Sequence, residues 1–470
     1  MQILKRVGGW LWERLGLERP WDFAGRHPVQ PEQATRKGWM YVFGAATMTA
    51  FLLQVVTGVA LATKYVPSPA SAYESLIFIN QEVWLGWFVR GMHYFGASAM
   101  VVFISVHVAR VFLTGSYKYP REMNWIFGVM LLVLTMLMAA TGQLLRWDQN
   151  GIWTVVVGSQ LLGHVPLIGP RLTEFVLAGD AVGGATLSRF FAFHILILPA
   201  LIFLTVGVHL YLVLHHGVSE PPEAGKPVDP ETYKEWYDER AERGGYRYWP
   251  DAAWREVVTA LAIIVGVMLL AYIFGPKGPD APPDPTMIAA DPRPDWYFRW
   301  YYALLAVKPQ GWEPFFMVYL PLGALIAMFL LPFVAPKGER HPKRRPWAIL
   351  IVVVVVTALG VLTELGMRAP WAMEFETVPL SPEVVGVAEG PVWTGAQLFH
   401  ERGCQFCHVA AGQGGQYGPD LTDVTRRLPP EMIVTRTING IGQMPAYRDM
   451  ITRDEMDAIL AFLRSLEAPR

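Results

Sequence analysis

The sequence predicts an all-α protein in which a seven-helix transmembrane bundle is followed by a small α-helical domain. Of its 470 residues, 53% are hydrophobic and only 17% are charged, a balance that excludes an ordinary soluble enzyme of this length. Seven apolar runs are long enough to cross a hydrocarbon core about 30 Å thick. They lie at approximately 39–63, 84–113, 123–145, 190–214, 254–274, 315–334 and 347–365. The formal net charge of −1 excludes a nucleic-acid binder that relies on bulk positive charge.

The segments outside the apolar runs predict the orientation of the chain. Residues 1–38 mix apolar residues with Lys and Arg, as an amphipathic helix on a membrane surface does, and they lack the features of a signal peptide. Lys and Arg concentrate there and in the loops 114–122, 215–253 and 335–346, so the positive-inside tendency predicts a cytoplasmic N-terminus. Seven crossings then place a Pro-rich linker, 369–391, and a polar domain, 392–470, on the outer side.

Four histidines lie in the second and fourth apolar runs. His93 and His107 are 14 positions apart, and His194 and His209 are 15 apart. At 100° and 1.5 Å per residue, each pair stays near one helix face and its members lie about 21 Å apart in depth. Because both helices start on the outer side, the four side chains predict two bis-histidine haems at two depths of the bilayer.

Glycines in the first and third runs repeat this spacing. Gly44 and Gly58 are 14 positions apart, as are Gly128 and Gly142. A glycine lets a flat macrocycle approach the backbone where a side chain would obstruct it. Taken alone, any of these residues could be a packing contact, and any of the histidines a helix-to-helix hydrogen bonder. Four histidines and four glycines that share two depths favour the haem interpretation.

The chain's two cysteines lie together near the C-terminus. Cys404-Gln405-Phe406-Cys407-His408 is the attachment motif of a c-type haem, in which both thiols form thioethers and the histidine is an axial ligand. A redox disulfide and a zinc pair are the alternatives, but zinc requires more thiol or imidazole partners than this region offers. The motif therefore predicts a covalently bound haem in the C-terminal domain.

The bundle closely resembles the cytochrome b subunit of cytochrome bc complexes over about residues 30–365, in the stretches FLLQVVTG, MHYFGASAMVVFISVHVARVFLTG, PREMNWIFG and SRFFAFHILILP. It is similar to the chloroplast and cyanobacterial branch, but here a four-helix di-haem domain, 39–217, is fused to a three-helix quinol-site domain, 218–368. The resemblance implies that Arg90 and Arg110 partner haem propionates, with interfacial snorkelling as the alternative. Val42 occupies the position of a cysteine that attaches a further haem in that branch, so no covalent third membrane haem is expected.

The loop after the fifth run contains Pro294-Asp295-Trp296-Tyr297. It resembles the Pro-Glu-Trp-Tyr signature of the family's outer quinol-oxidation site, with Asp in place of Glu. The resemblance implies that Asp295 accepts a proton as quinol is oxidised, and the Asp form favours menaquinol over ubiquinol. An interfacial anchor is the alternative role for this tetrapeptide.

Two further sites bear on quinone chemistry. Trp147-Asp148-Gln149 resembles the family's Leu-Pro-Trp-Asp-Gln, but Arg146 replaces the proline. This change removes a fixed φ and adds a cation at the mouth of the pocket, which could alter the local geometry; we favour the alternative that Arg146 is a solvated interfacial charge. On the inner side, His215 and His216 are candidate proton donors for quinone reduction, with a surface role as the alternative. Basic residues on the same face are Arg36, Lys37 and Arg121.

The C-terminal domain resembles small monohaem cytochromes c of class I. Gly418-Pro419-Asp420-Leu421 is similar to the segment that orients the haem-binding histidine, and Met444, in Gly442-Gln443-Met444-Pro445, is similar to the sixth iron ligand. We favour Met444 over Met432 and Met450. Residues 392–402 and 454–466 are the expected terminal helices, with Phe399 and Leu463 as contacts between them.

Together these resemblances imply the fused cytochrome b and cytochrome c subunit of a quinol:cytochrome c oxidoreductase in a bacterial cytoplasmic membrane. It would hold two non-covalent b haems and one covalent c haem. One electron from quinol would pass to a separate Rieske iron–sulfur protein, because this chain lacks cysteines for a cluster. The other would cross the membrane through the b haems, coupled to proton translocation. A cytochrome c or a terminal oxidase would be the acceptor, and the complex is expected to be a homodimer.

Two alternatives from other functional classes remain open. The chain could be a di-haem membrane anchor that links a quinone pool to a dehydrogenase without electron bifurcation. It could also be a non-catalytic, haem-bearing assembly protein. The Asp295 motif argues against the first, and quinol-dependent reduction of the b haems would exclude the second.

Overall fold

The computed structural model describes residues 22, 24–179, 182–283, 293–309, 312, 314–368, 377–414, 419–440, 444, 446–448 and 450–466. Within these ranges the chain is mostly helical, with one two-stranded antiparallel ribbon of Val409–Ala410 and Gln413–Gly414. The predicted all-α class is confirmed. Most of the predicted amphipathic surface segment lies outside the described residues.

Seven helices in the described part of the chain are long and apolar enough to cross a membrane, as predicted. They are Arg36–Ala62, Gly86–Leu113, Glu122–Leu144, Gly184–His216, Tyr248–Phe274, Phe315–Val334 and Pro346–Arg368, here called the first to seventh membrane helices. Apolar side chains on their outward faces stay exposed, for example Leu204 at 67% and Val334 at 79%. Exposed apolar faces on hydrophobic helices are typical of contact with lipid, so the chain is an integral membrane protein.

The packing of the membrane helices places the first four together. The first helix packs along the second, and the third along the fourth. The fifth helix packs against the first and second, and the sixth against the third. Shorter helices connect or flank the bundle; their bounds are Pro31–Ala34, Ala72–Gln81, Gln149–Gly163, Gly169–Leu177, Tyr233–Gly244 and Trp296–Val307. The last of these packs on the seventh membrane helix.

The fourth membrane helix contains a π turn, Phe193–Ile197, between the α-helical segments Gly184–Ala192 and Leu198–His216. The amide of Leu198 donates to the carbonyl of Phe193, five residues earlier. Pro199 follows and has no amide hydrogen to continue an α-helical pattern. A π turn holds one residue more than the α geometry it replaces. The 15 positions from His194 to His209 therefore correspond to 14 α-helical steps, the same as from His93 to His107.

Buried cations join the first four membrane helices to the last three. They lie at the end of the bundle where the first membrane helix begins, here called the N-terminal end of the bundle. Arg340 donates to the carboxylate of Glu220, and Arg345 donates to the hydroxyl of Tyr117 at 3.0 Å. Lys118 Nζ donates to two backbone carbonyls of the loop after the sixth helix, at 2.9 and 2.6 Å. Burial and the neighbouring arginines lower the pKa of Lys118 to about 8. These charge-assisted contacts fix the two halves of the bundle against each other.

The C-terminal domain has its own apolar core. Its helices are Pro382–Val385, Pro391–Glu401, Cys404–Cys407, Val424–Arg427, Pro430–Asn439 and Arg453–Ser465. The longest two pack against each other, with Phe399 and Leu463 only 1% and 2% exposed in one core cluster. A side chain at Gly395 would collide with the carbonyl oxygen of Ala458, so the two helices cross with their backbones in contact. Both expected terminal helices and their contact residues are present.

Candidate functional site

His93 and His194 face each other across the four-helix part of the bundle. Their ring centroids are 6.3 Å apart and their planes are inclined by 76°. Nδ1 of His93 lies 2.9 Å from Oγ1 of Thr57. Nδ1 of His194 lies 3.2 Å from Oγ1 of Thr141 and 3.1 Å from the carbonyl oxygen of Met138. Because Nδ1 of each ring is occupied, Nε2 is left as the nitrogen that can bind a metal.

The separation of the two rings fits an iron ion between them. Imidazole nitrogens bind first-row metal ions at about 2 Å, so an ion held by one nitrogen from each ring puts the centroids about 6 Å apart. The observed separation is 6.3 Å. The donor set, two neutral imidazoles, is that of a bis-histidine haem.

Each of the four predicted glycines faces one of the four histidines. If a Cβ atom were added to the glycine, its distance to the histidine Cε1 would be 3.2 Å for Gly58 and His93, 2.7 Å for Gly142 and His194, 3.4 Å for Gly44 and His107, and 3.6 Å for Gly128 and His209. The glycines therefore sort with the histidines into two groups, one at each depth. A side chain at these positions would enter the space that a flat macrocycle requires.

The second group lies towards the N-terminal end of the bundle and includes His107 and His209. The guanidinium of Arg110 stacks over the ring of Tyr41 at 4.4 Å and donates to Oγ of Ser116 at 3.4 Å. A cation at this end of the bundle is available to a carboxylate near this histidine pair.

One cavity, about 270 Å³ in volume, joins the first histidine pair to the predicted quinol motif. Its lining combines the metal-binding candidates, the facing glycines, and charged or polar side chains from distant parts of the sequence. These lining residues include His93, His194, Gly58, Gly142, Arg90, Arg146, Lys277, Asp295 and Tyr297. Most of the remaining lining is apolar, as expected for a site that holds a hydrophobic ligand.

Asp295 is 8% exposed and precedes the helix Trp296–Val307. Its Oδ2 accepts a hydrogen bond from the hydroxyl of Tyr297 at 3.2 Å, and its Oδ1 lies 3.7 Å from Nζ of Lys277. Burial, and secondarily the Asp295 carboxylate, raise the pKa of Tyr297 well above its usual range. Asp295 and Tyr297 line the cavity, whereas Trp296 is 37% exposed and donates to Oγ of Ser98 at 3.2 Å. Pro294 contributes a carbonyl that accepts from a neighbouring arginine.

Arg90 is buried and its donors are engaged by protein groups. It donates to Oδ1 of Asn80 at 2.9 Å and to the backbone carbonyls of Lys277 and Gly278 at 2.6 and 2.7 Å. Arg90 therefore anchors the loop that carries Lys277, in addition to lining the cavity.

The interpretation of Arg146 as a solvated charge is wrong. Its side chain is only 12% exposed, and its Nε lies 3.4 Å from Oδ2 of Asp148. Asp148 is fully buried, caps the helix Gln149–Gly163 by accepting from the amide of Gly151 at 2.7 Å, and accepts from the amide of Asp280 at 2.9 Å. Local folding of the loop around this carboxylate draws Arg146 inward, where it lines the cavity.

Sequence reasoning missed Lys277, Thr57 and Thr141. A signal for the threonines was present, because both precede a cavity glycine in a repeated Thr-Gly pair, Thr57-Gly58 and Thr141-Gly142. Lys277 had no such signal, since it lies in a Gly- and Pro-rich loop without periodicity.

Three of the candidates for an inner quinone site lie together, because Arg121 contacts His216 and the ring of His216 contacts that of His215. Arg36, Lys37 and His215 are exposed, whereas Arg121 is buried. Arg121 donates to the carbonyl of His216 at 3.0 Å and to the hydroxyl of Tyr233 at 2.8 Å. Arg121 therefore makes structural contacts that hold the loop after the fourth membrane helix.

In the C-terminal domain the attachment motif forms one helical turn, Cys404–Cys407, with His408 directly after it. Both thiols are free, and burial raises the pKa of Cys404 to about 12 and also raises that of Cys407. His408 is 8% exposed, and its Nδ1 lies 2.8 Å from the carbonyl oxygen of Pro419. This contact leaves Nε2 as the available ligand nitrogen, and it uses the Pro419 segment proposed for that task.

Met444 is described and half-buried, but Gly442, Gln443 and Pro445 beside it lie outside the described residues, as does Gly418. Of the two other methionines considered, Met432 is 43% exposed on the helix Pro430–Asn439. An exposed helical thioether is poorly placed to bind a buried iron. Met444 as the sixth ligand stays a prediction.

Three family models match the chain. The cytochrome b/b6/petB model matches residues 32–217, the cytochrome b(C-terminal)/b6/petD model matches 282–378, and the model for cytochrome c oxidase, cbb3-type, subunit III matches 391–463. The two halves of the bundle and the C-terminal domain are therefore each similar to a known family of electron-transfer proteins.

Individual relatives agree with these matches. The menaquinol:cytochrome c reductase cytochrome b subunit of Geobacillus thermodenitrificans is 39% identical over 225 residues, which are 47% of this chain and 100% of the relative. Cytochrome b6 of Synechococcus elongatus is 37% identical over 218 residues, 46% of this chain and all of the relative. A solved structure, described as a hyperthermophilic respiratory Complex III, aligns with a TM-score of 0.64 and 26% identity, covering 77% of this chain and 91% of its own.

Proposed function

The chain belongs to the cytochrome b/b6 family, and we propose that it is the fused cytochrome b and cytochrome c subunit of a quinol:cytochrome c oxidoreductase. The observation that carries this proposal is the shared cavity. His93 and His194, a pair spaced for a haem iron, line the same apolar cavity as Asp295 and Tyr297. The proposed proton acceptor, Asp295, thus shares a cavity with the histidine pair that would hold the haem taking one of the two quinol electrons.

The residues of the cavity have distinct tasks. The haems supply one-electron transfer when bound. His93 and His194 would hold the first b haem through Nε2, with Thr57 and Thr141 orienting the rings, and His107 and His209 would hold the second. Asp295 accepts a proton from a quinol hydroxyl, because its carboxylate is buried at the cavity wall and can act as a general base.

Electrons leave the site by two routes in this proposal. The b haems that the two histidine pairs would hold would supply one route, towards the N-terminal end of the bundle, where quinone would be reduced and charge would thereby be moved across the membrane. The other route would use a Rieske iron–sulfur protein and the c haem that Cys404, Cys407, His408 and Met444 would hold. The chain has two cysteines, both in the c-type motif, so the cluster must be carried by a separate partner.

Substrate, partners and topology follow from the same resemblance. Menaquinol is the favoured quinol, because the motif carries Asp295 and because a relative at 39% identity is a menaquinol:cytochrome c reductase subunit. The acceptor is a soluble or membrane cytochrome c or a terminal oxidase, and the complex is a homodimer. The N-terminus is cytoplasmic and the cytochrome c domain, 392–470, lies on the outer side of a bacterial cytoplasmic membrane.

Replacement of Asp295 by Asn tests the proposal. The change removes the proton acceptor but keeps the shape of the side chain, so quinol oxidation should fall at least roughly 100-fold. All three haems should remain, in a ratio of two non-covalent b haems to one covalent c haem by pyridine haemochrome spectroscopy. Asp280→Asn, at an exposed carboxylate in the preceding loop, is the matched control and should retain activity.

Two results would contradict the proposal. Unchanged quinol oxidation in Asp295→Asn would remove this carboxylate from the mechanism. Electron transfer from quinol that needs no Rieske protein would instead support a di-haem anchor without bifurcation.

A further inference from the structure

Arg146 lines the cavity beside His93 and His194, and two nitrogens of its guanidinium have no hydrogen-bond partner among the described residues. We propose that Arg146 forms an ion pair with a propionate carboxylate of the haem that this histidine pair holds, and that it thereby raises the reduction potential of that haem. This assignment rests on the proposed function, because it requires a haem in the cavity.

The hydrogen-bonding state of Arg146 supports the assignment. Its Nε and Nη2 are buried and have no hydrogen-bond partner among the described residues. The nearest carboxylate, Asp148, lies 3.4 Å from Nε but already accepts hydrogen bonds from the amides of Gly151 and Asp280. Buried guanidinium donors without partners are unfavourable, and an anion that enters the cavity would satisfy them.

The other cations of the cavity are committed elsewhere. Arg90 donates to Asn80 and to two backbone carbonyls, and Lys277 pairs with Asp295. Of the two arginines that line the cavity, Arg146 is therefore the one with buried donors that have no hydrogen-bond partner among the described residues. Its planar fork of N–H groups matches a carboxylate in a bidentate arrangement.

The charge of the lining favours an anionic guest. Three cations, Arg90, Arg146 and Lys277, line the cavity with one carboxylate, Asp295, and Asp148 offsets part of the excess from behind Arg146. A quinol is uncharged, whereas a haem carries two propionates. Of the two guests that the proposed function brings to this cavity, the haem is the one whose charge is complementary.

A cation close to a haem stabilises the reduced iron relative to the oxidised iron, because oxidation adds one positive charge. Loss of the Arg146 charge should therefore lower the midpoint potential of the haem at His93 and His194. The haem at His107 and His209 lies about 21 Å deeper and should not respond.

Optical redox titration of the purified, fully loaded protein tests this proposal. We expect Arg146→Gln to lower the midpoint potential of one b haem and to leave the other b haem and the c haem unchanged. Arg146→Lys should retain most of the native potential, since it keeps the charge. Arg171→Gln, at an exposed arginine on the helix Gly169–Leu177, is the matched control and should shift no potential.

Unchanged potentials in Arg146→Gln, or an equal shift in Arg171→Gln, would overturn the assignment while leaving the proposed function intact. If Arg146→Gln does not accumulate, Arg146→Pro, which introduces the residue of the resembling family segment, should show the same downward shift, and its absence there would equally refute the proposal. A native protein that contains no b haem would contradict the proposed function itself, and the assignment with it.

Discussion

Replacing Gly142 with alanine probes the cavity beside His194 with the smallest possible side chain. The added Cβ would lie 2.7 Å from Cε1 of His194, whereas carbon atoms in favourable contact are about 3.5–4.0 Å apart. The imidazole would have to move by roughly 1 Å to restore that distance. Its Nδ1 is held by Thr141 and by the carbonyl of Met138, so the movement would break those contacts or displace the ring from the iron.

Overpacking of this kind costs about 1–3 kcal/mol. At about 1.4 kcal/mol for each factor of ten, retention of the haem at His93 and His194 should weaken by roughly 5- to 150-fold. The other glycines give a graded series. Gly58→Ala, whose Cβ would lie 3.2 Å from Cε1 of His93, should displace the histidine less, and Gly128→Ala, at 3.6 Å from Cε1 of His209, should displace it least and have the smallest effect.

The assay is the ratio of b haem to c haem in purified protein, measured by pyridine haemochrome and by difference spectra that resolve the two b haems. The covalent c haem serves as the internal standard. Gly207→Ala is the control, because a Cβ at this position of the fourth membrane helix meets open space. A full complement of b haem in Gly142→Ala, or an equal loss in Gly207→Ala, would refute the argument.

Two further predictions concern caps that hold helices in place. Asp148→Ala removes the cap of the helix that begins at Gln149 and should destabilise it by about 0.5–2 kcal/mol; hydrogen exchange at the Gly151 amide should accelerate, and unchanged exchange would contradict the capping role. In the C-terminal domain, the Glu455 carboxylate accepts from the amide of Thr452 at 2.8 Å and from the guanidinium of Arg402, and these contacts lower its pKa. Because the pKa of Glu455 is lower in the folded than in the unfolded protein, its carboxylate stabilises the fold above the unfolded-state pKa of about 4.5, and this stabilisation is lost as the pH falls through the folded-state pKa. Glu455→Gln should therefore lower the unfolding temperature at pH 7 but not in acid. Calorimetry that finds the same difference at both pH values would rule this out.

The membrane architecture was predictable because its physical causes are local. Twenty or so apolar residues are needed to cross the lipid, and a helix returns to one face at fixed intervals. Hydropathy therefore predicts the seven helices, and spacing predicts that the four histidines and the four glycines share two depths. The same reasoning predicts the c-type motif, whose chemistry lies within five consecutive residues from Cys404 to His408.

What the sequence did not reveal depends on loops that meet only in the folded chain. Arg146 is buried because Asp148 is tied to the amide of Asp280, more than a hundred residues away. Lys277 meets Asp295 because the carbonyl of Lys277 is held by Arg90. No periodic pattern encodes such contacts, and a charge next to an apolar run is more often solvated.

The π turn at Phe193–Ile197 makes the two histidine-bearing helices unequal in their tolerance of changes in length. Deleting one residue of the turn after His194 should convert it to ordinary α-helix and leave His194 and His209 in phase. Deleting one residue between His93 and His107, where the helix is regular throughout, would rotate one ring about 100° away from its glycine. The fourth membrane helix can therefore change its length by one residue during evolution without losing a haem, whereas the second cannot.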